Sequence, residues 1–280
     1  MKRGVGVSKS EQLNTLSEAD ILNALSNSTI SLKEIANPSE LMKLAAVNAD
    51  PFSIDYIYNP SEEIQLSSLY KSCGKSIGCI YNPTDAAIKL ALEFSPGSLP
   101  DLISRNILNE SQLGYVIRKY PVFFEYVKNP SKNIITIAVK EYPANIYYVK
   151  NPDEETQLLA LRKNIFIFKD IKKPTARICR EAIMAAPSEI SCIDNPSLEL
   201  QKLAVSLDPI SIRHIKNPTE EICELALSLD GRAIKGIKKP SIKHRKMAIK
   251  NHPLSFLLLE KRTKNMKKLH NEIWGGIVNI

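Results

Sequence analysis

The residues best suited to catalysis or metal binding are scattered along this chain and match no known motif. The four histidines are His214, His244, His252 and His270, and they form neither HExxH nor another ligand spacing. No P-loop, GxGxxG or GxSxG sequence is present. We therefore predict no catalytic residue, no metal site and no cofactor, with an active site assembled from distant residues as the alternative.

Tyrosines and polar residues at two adjacent repeat positions, 17 and 18 residues after the proline that opens each repeat, are the candidate contacts for a partner. These positions lie in the short helix of each repeat described below, between two buried residues, and we expect them to face solvent. Exposed tyrosine and arginine are frequent anchors of protein interfaces, although a half-buried tyrosine can also pack while its hydroxyl reaches water. The predicted partner-binding residues are Tyr56, Tyr126, Tyr147, Tyr148, Arg213 and His214.

Positive charge is concentrated at the C-terminal end. Residues 238–280 hold eleven Lys or Arg against two Glu, whereas the whole chain has a net charge of +8. Such a patch can bind phosphate groups or an acidic protein face, but a polar cap on the open end of a repeat array has the same composition. The predicted anion- or nucleic-acid-binding residues are Lys243, Arg245, Lys246, Lys261, Arg262, Lys264, Lys267 and Lys268.

The elements that must position these side chains follow a proline that returns about every 22 residues. A fixed period of this length indicates a stacked repeat protein. Leu16 opens the series, and Leu108 replaces proline after a longer interval. The remaining members are Pro38, Pro60, Pro83, Pro130, Pro152, Pro174, Pro196, Pro218 and Pro240. The series predicts eleven copies of one unit.

Each unit has the pattern of a long helix, a turn and a short helix. In one unit, Asn217 is predicted as the N-cap, Pro218 as the first helical residue and Glu220 as the capping-box partner. Apolar residues follow four, eight and nine positions after the proline, which is one face of a helix of about three turns. Alanine recurs at the eighth position, where a small side chain lets neighbouring helices approach. A second proline, 13 positions after the first in many units, begins a short helix of α or 3₁₀ type.

The third and fourth units depart from this period. Extra residues follow the segment from Ser95 to Pro100, and Asn106-Ile107-Leu108 takes the place of Asn-Pro. An insertion of this kind is either drift in a tolerant loop or a bend or contact site in the repeat array.

The recurrent Asn-Pro-Ser/Thr-Glu starts, with alanine near mid-helix, resemble the short αα-repeats of the leucine-rich repeat variant type and, more loosely, HEAT repeats. They are also similar to uncharacterised helical-repeat proteins of phages, large viruses and intracellular bacteria. The resemblance covers about Leu16 to Leu259. It implies a helical solenoid and no particular activity, and it makes a host-directed viral or phage factor a plausible setting. The iron–sulfur cysteines of some leucine-rich repeat variants have no counterpart here.

We predict an all-α solenoid, a right-handed superhelix of about eleven 22-residue repeats over residues 15–260. A flexible tail is expected over 1–14 and a basic capping helix with a tail over 261–280. No apolar run reaches about 18 residues, so no membrane span is expected. The N-terminus lacks the apolar core of a secretory signal, and the five cysteines, without a CxxC pair, fit a reducing cytoplasm. The predicted function is non-enzymatic binding of another protein, with nucleic-acid binding through the basic C-terminal end as the alternative.

Overall fold

The computed structural model describes residues 16–275, and within that range every regular element is a helix. The predicted all-α class is confirmed. The predicted flexible tail at 1–14 and the residues after Gly275 lie outside the described part of the chain. The chain divides into two compact units, the first ending at Tyr148 and the second beginning at Val149.

The first unit alternates long α-helices with short helices that are mostly 3₁₀. The α-helices are α1 Glu18–Ser26, α2 Glu40–Ala49, α3 Glu62–Lys71, α4 Asp85–Phe94, α5 Leu99–Ser104, α6 Glu110–Lys119 and α7 Lys132–Glu141. The 3₁₀ helices are η1 Leu32–Glu34, η2 Pro51–Tyr56, η3 Lys75–Cys79, η4 Pro96–Ser98, η5 Pro121–Tyr126 and η6 Pro143–Tyr148.

The second unit repeats the same alternation without irregularity. Its α-helices are α8 Glu154–Lys163, α9 Ala176–Ala185, α10 Leu198–Leu207, α11 Glu220–Leu229, α12 Ile242–Asn251 and α13 Lys264–Trp274. Its 3₁₀ helices are η7 Ile165–Asp170, η8 Pro187–Cys192, η9 Pro209–His214, η10 Gly231–Gly236 and η11 Pro253–Leu258.

Neighbouring repeats pack on one another in chain order. In the first unit α1 to α4 pack consecutively, as do α6 and α7, and in the second unit α8 to α13 do the same. The short helices form a second row in which η7 to η11 also pack consecutively. Each repeat therefore completes its core with its neighbours, which is the arrangement of a solenoid.

The predicted alanine position is at the centre of this packing. Seven of its alanines have no exposed surface, and each carbonyl accepts the backbone N–H four residues later, at the end of the long helix. They are Ala91, Ala138, Ala160, Ala182, Ala204, Ala226 and Ala248. A larger side chain at this position would have to displace the adjacent helix.

The helices start two residues later than the sequence analysis predicts. The N-cap of α11 is Thr219, whereas the sequence analysis predicts Asn217. The Thr219 hydroxyl accepts the backbone N–H of Ile222. Glu220 is the first helical residue, so its carboxylate lies in the first turn and not at the capping-box position. A Ser, Thr, Asp or Asn cap of this kind begins every long helix in the described chain except the inserted α5.

The asparagine before the proline ends the preceding turn in several repeats. Asn59, Asn129, Asn151 and Asn195 have φ values between 51° and 57°, in the left-handed region. Asparagine tolerates this conformation better than most residues. Asn-Pro therefore marks the exit from a short helix, and the following Ser, Thr or Asp marks the entry to a long one.

The C-terminal helix is the long helix of a twelfth unit. Its N-cap, Thr263, lies 22 residues after Ser241, the N-cap of α12, and its hydroxyl accepts the N–H of Met266 in the same manner. Met266 and His270 are buried against the preceding repeat. The segment predicted as a cap thus continues the repeat.

The insertion in the fourth repeat forms α5. This short α-helix stands in the row of 3₁₀ helices, where it packs against η3 and η5. It buries Leu99, Leu102 and Ile103. The extra residues therefore contribute to the core of the first unit.

Polar side chains also join one repeat to the next. The N-cap hydroxyls of Ser39 and Ser131 donate to Glu18 and Glu110 of the preceding helix, at 2.9 and 2.7 Å. Acidic residues at helix starts therefore bridge helices in addition to favouring the positive end of the helix dipole.

A second polar row consists of ion pairs between residues 19 apart. Arg180 Nη1 lies 2.9 Å from Glu199 Oε1, and Lys202 Nζ lies 2.5 Å from Glu221 Oε1. These pairs are exposed, so each stabilises the stack by roughly 0–1 kcal/mol.

Candidate interaction surfaces

An exposed aromatic surface lies on the short helices at the end of the first unit. We name it the aromatic edge and define it by four residues: Tyr126 of η5, Tyr142 immediately before η6, and Tyr147 and Tyr148 of η6. Their side chains are between 41% and 57% exposed, and η5 packs directly on η6. The structure therefore brings together three of the predicted partner-binding residues, Tyr126, Tyr147 and Tyr148.

Glu125 lies at the centre of the aromatic edge. The Tyr148 hydroxyl donates to Glu125 Oε2 at 3.3 Å. The Glu125 carboxylate raises the pKa of both Tyr126, chiefly through a side-chain hydrogen bond, and Tyr148, chiefly through its charge. The carboxylate thus fixes the positions of two phenol rings that a partner would contact.

Inner rings support the aromatic edge from below. Tyr120 stacks on Phe123 with centroids 5.4 Å apart, and Phe123 meets Tyr126 edge-on at 6.5 Å. Such aromatic pairs stabilise a defined ring orientation. Tyr126 is therefore held by contacts on two sides.

Tyr56, a further predicted contact, does not belong to this surface. It ends η2, is 53% exposed, and has the ammonium of Lys33 5.9 Å from its ring centroid. The helices η3 and α5 stand between η2 and η5 in the row of short helices. Tyr56 shares the register of Tyr126 and Tyr148 without sharing their surroundings.

Arg213 and His214 form a local pair at the end of η9 in the second unit. Arg213 Nε donates to His214 Nε2 at 2.9 Å. Burial of the ring, with a smaller effect from the Arg213 guanidinium, lowers the pKa of His214. The His214 ring lines a cleft shared with Ile190, Gln201 and Ile215.

The basic C-terminal residues are divided among several roles. Arg245, Lys246 and Lys268 line a cleft of about 700 Å³ between α12 and α13. Lys250, which the sequence analysis did not select, lines the same cleft. Ile242, Met266, Leu269 and the acidic Glu272 also line it. We name this the basic cleft.

The other predicted anion-binding residues do not converge on the basic cleft. Lys261, Lys264 and Lys267 are exposed. Lys243 is paired with Glu224. Arg262 donates to the carbonyl of Leu257 at 2.6 Å and lies 5.6 Å from the Phe256 ring centroid, so its guanidinium serves packing.

One cluster of side chains has the composition of a metal site. The ligand atoms of Glu220, Glu224 and His244 all lie within 4.8 Å of one another. The two glutamates are one turn apart on α11, and the histidine faces them from α12. The sequence analysis missed this group because its ligands span two repeats and match no single-helix motif.

No known protein family, curated protein or solved structure matches the chain. The resemblance to leucine-rich repeat variants, HEAT repeats and viral repeat proteins therefore stays a prediction. Among the described helices, none combines the length and apolar character required to cross a bilayer.

Proposed function

We propose that this protein is a non-enzymatic scaffold that binds another protein through the aromatic edge. The observation that carries the proposal is that Glu125 holds the exposed rings of Tyr126 and Tyr148. Tyr142 and Tyr147 are also exposed on the same short helices and turn. Tyrosine is enriched among the residues that dominate binding energy at protein interfaces, because a large ring buries much area while losing little conformational freedom.

The chemistry of Glu125 indicates what the partner presents. A partner that covers the tyrosine rings also removes water from the Glu125 carboxylate, and a desolvated charge is costly unless it is paired. Tyr148 supplies one hydrogen bond. We infer that the partner places an arginine or lysine next to Glu125 and an apolar or aromatic surface over the rings.

Alanine substitutions test this proposal. Tyr126→Ala and Tyr148→Ala each remove an anchor ring, and we expect each to weaken binding by about tenfold or more, the loss typical of an interface hot spot. Tyr58→Ala is the matched control, because Tyr58 is 93% exposed and lies outside the aromatic edge. Captured partners are compared by quantitative pull-down, after circular dichroism has established that all variants fold. A partner retained equally by all three variants would refute the proposal.

The basic cleft favours nucleic-acid binding as a second candidate function. It gathers four cationic side chains and one glutamate, Glu272, beside three apolar ones, and phosphate contacts made by such cations make affinity fall steeply with salt. The test is titration of labelled single- and double-stranded oligonucleotides at increasing salt. Lys246→Glu with Lys250→Glu is expected to abolish binding by the cleft, whereas charge reversal at Lys264 and Lys267, which lie outside the cleft lining, tests the wider patch.

We propose that the protein acts in the cytoplasm of the source cell or of an infected host. The free cysteines support a reducing compartment, since none of the five is paired with another. The viral or phage setting is supported by the sequence resemblance alone.

A further inference from the structure

We propose that Glu220, Glu224 and His244 form a binding site for a divalent transition-metal ion of the zinc type, located where α11 packs on α12. This site is independent of the proposed protein-binding function. Three departures from the repeat pattern meet at this one interface.

The first departure is a histidine at a core position. His244 lies three residues after its N-cap, where Ile64, Ile134, Ile178 and Ile222 are buried in other repeats. His244 itself is 3% exposed. The fold therefore places an imidazole where packing alone favours an aliphatic side chain.

The second departure is that the buried imidazole makes no hydrogen bond at Nε2 within the described chain. Glu220 Oε1 lies 3.2 Å from this nitrogen without accepting a hydrogen bond from it. A buried polar nitrogen without a partner costs about 1–3 kcal/mol, and here it lies within 4.8 Å of the oxygens of both Glu220 and Glu224.

The third departure is a reversed ion pair. In the two preceding interfaces, Arg180 and Lys202 are the cations on the earlier helix and reach a glutamate on the next helix. At α11 and α12 the charges are exchanged, so that Glu224 is on the earlier helix and Lys243 on the later one. This exchange puts Glu224 one turn from Glu220 on the same face of α11.

One imidazole nitrogen and two carboxylates are ligands that Zn²⁺ accepts, with a water completing a tetrahedral site. Coordination requires the Nε2 lone pair, so the ring proton moves to Nδ1 and the long contact of 3.4 Å from the Ser241 N–H is lost. Lys243 competes with the ion for the Glu224 carboxylate. The bound ion would tie two adjacent helices together and satisfy the buried nitrogen.

The test is calorimetric titration of the untagged full chain with ZnCl₂, repeated with Co²⁺, whose visible absorption reports tetrahedral coordination. We expect one ion per chain. His244→Gln is expected to weaken binding by about tenfold or more, and glutamine keeps the capping box, as Gln112 does in α6. Glu224→Gln is expected to have a similar effect.

Two further variants separate this site from adventitious binding. Lys243→Ala frees Glu224, so affinity is expected to rise about two- to fivefold, the contribution of an exposed ion pair. Glu221→Gln removes a carboxylate that pairs with Lys202 outside the cluster, so affinity is expected to stay unchanged. The proposal is overturned if the wild-type chain binds no Zn²⁺, if His244→Gln binds it equally well, or if Lys243→Ala does not bind more tightly.

Discussion

Gly231, the first residue of η10, offers a direct test of the repeat geometry. Seven other short helices have proline at this position: Pro51, Pro96, Pro121, Pro143, Pro187, Pro209 and Pro253. A consensus argument therefore predicts that Gly231→Pro stabilises the protein. The structure predicts the opposite.

The expected cost follows from the space around Gly231. A Cβ at this residue would lie 2.3 Å from the backbone oxygen of Ala248 and 3.0 Å from the backbone nitrogen of His252. Both atoms belong to the end of α12 and cannot move as a side chain can. Gly231→Ala is therefore expected to destabilise the fold by about 1–3 kcal/mol through overpacking.

Proline at the same residue removes a hydrogen bond as well. The Gly231 N–H donates to Asn251 Oδ1 at 2.9 Å, and its loss costs about 1 kcal/mol. Gly231→Pro is thus expected to be about 2–4 kcal/mol less stable than the wild type.

Thermal and urea unfolding, followed by circular dichroism, measure these changes. We expect Tm to fall by about 2–4 °C for each kcal/mol. Gly97→Ala is the matched control, because a Cβ there meets no atom within 4 Å, and its Tm is expected to stay close to that of the wild type. A Gly231→Ala protein as stable as the wild type, or a control that loses equally, would refute the reasoning.

Three more predictions concern polar groups. Asn145→Ala leaves two backbone carbonyls without the side-chain N–H groups that reach them at 2.8 and 3.1 Å, so a loss of about 2–4 kcal/mol in urea unfolding is expected; a neutral effect would contradict it. Glu125→Gln removes the charge that raises the pKa of Tyr148, so that phenol is expected to ionise at lower pH in a spectrophotometric titration, and an unchanged titration would argue against the pairing. Lys202→Met removes only an exposed ion pair with Glu221, so the free energy of unfolding is expected to change by less than about 1 kcal/mol, and by less still in high salt. A larger loss of stability would contradict the small contribution assigned to these ion pairs.

The sequence predicts the architecture well because the repeat multiplies every weak signal. Period, long helix, short helix and buried alanine are all confirmed, since each recurs in many copies. The long helices begin two residues later than predicted because an Asn-Pro pair is compatible with two structures. It can supply the N-cap and the first residue of a helix, or it can end the preceding turn with a left-handed asparagine followed by proline. Here the second holds, and Thr219, two residues after Asn217, is the N-cap.

The residues of the interaction surfaces are only partly predictable from the sequence. The position of a residue within the repeat predicts whether its side chain faces solvent, but not which exposed side chains lie next to one another. Tyr56, Tyr126 and Tyr148 share a register, yet only the last two lie in adjacent short helices. Whether a lysine binds a ligand or pairs internally depends on the facing helix, as the contact of Lys243 with Glu224 shows. The cluster around His244 depends on two repeats and a buried position, which periodicity alone does not reveal.

The most direct test of the central proposal is the affinity of an identified partner for the wild-type chain, for a variant with Tyr126→Ala and Tyr148→Ala together, and for Tyr58→Ala. Binding by the aromatic edge predicts that the double variant loses about tenfold or more in affinity, whereas Tyr58→Ala matches the wild type. Equal affinity of all three proteins would contradict the assignment of the aromatic edge as the binding surface.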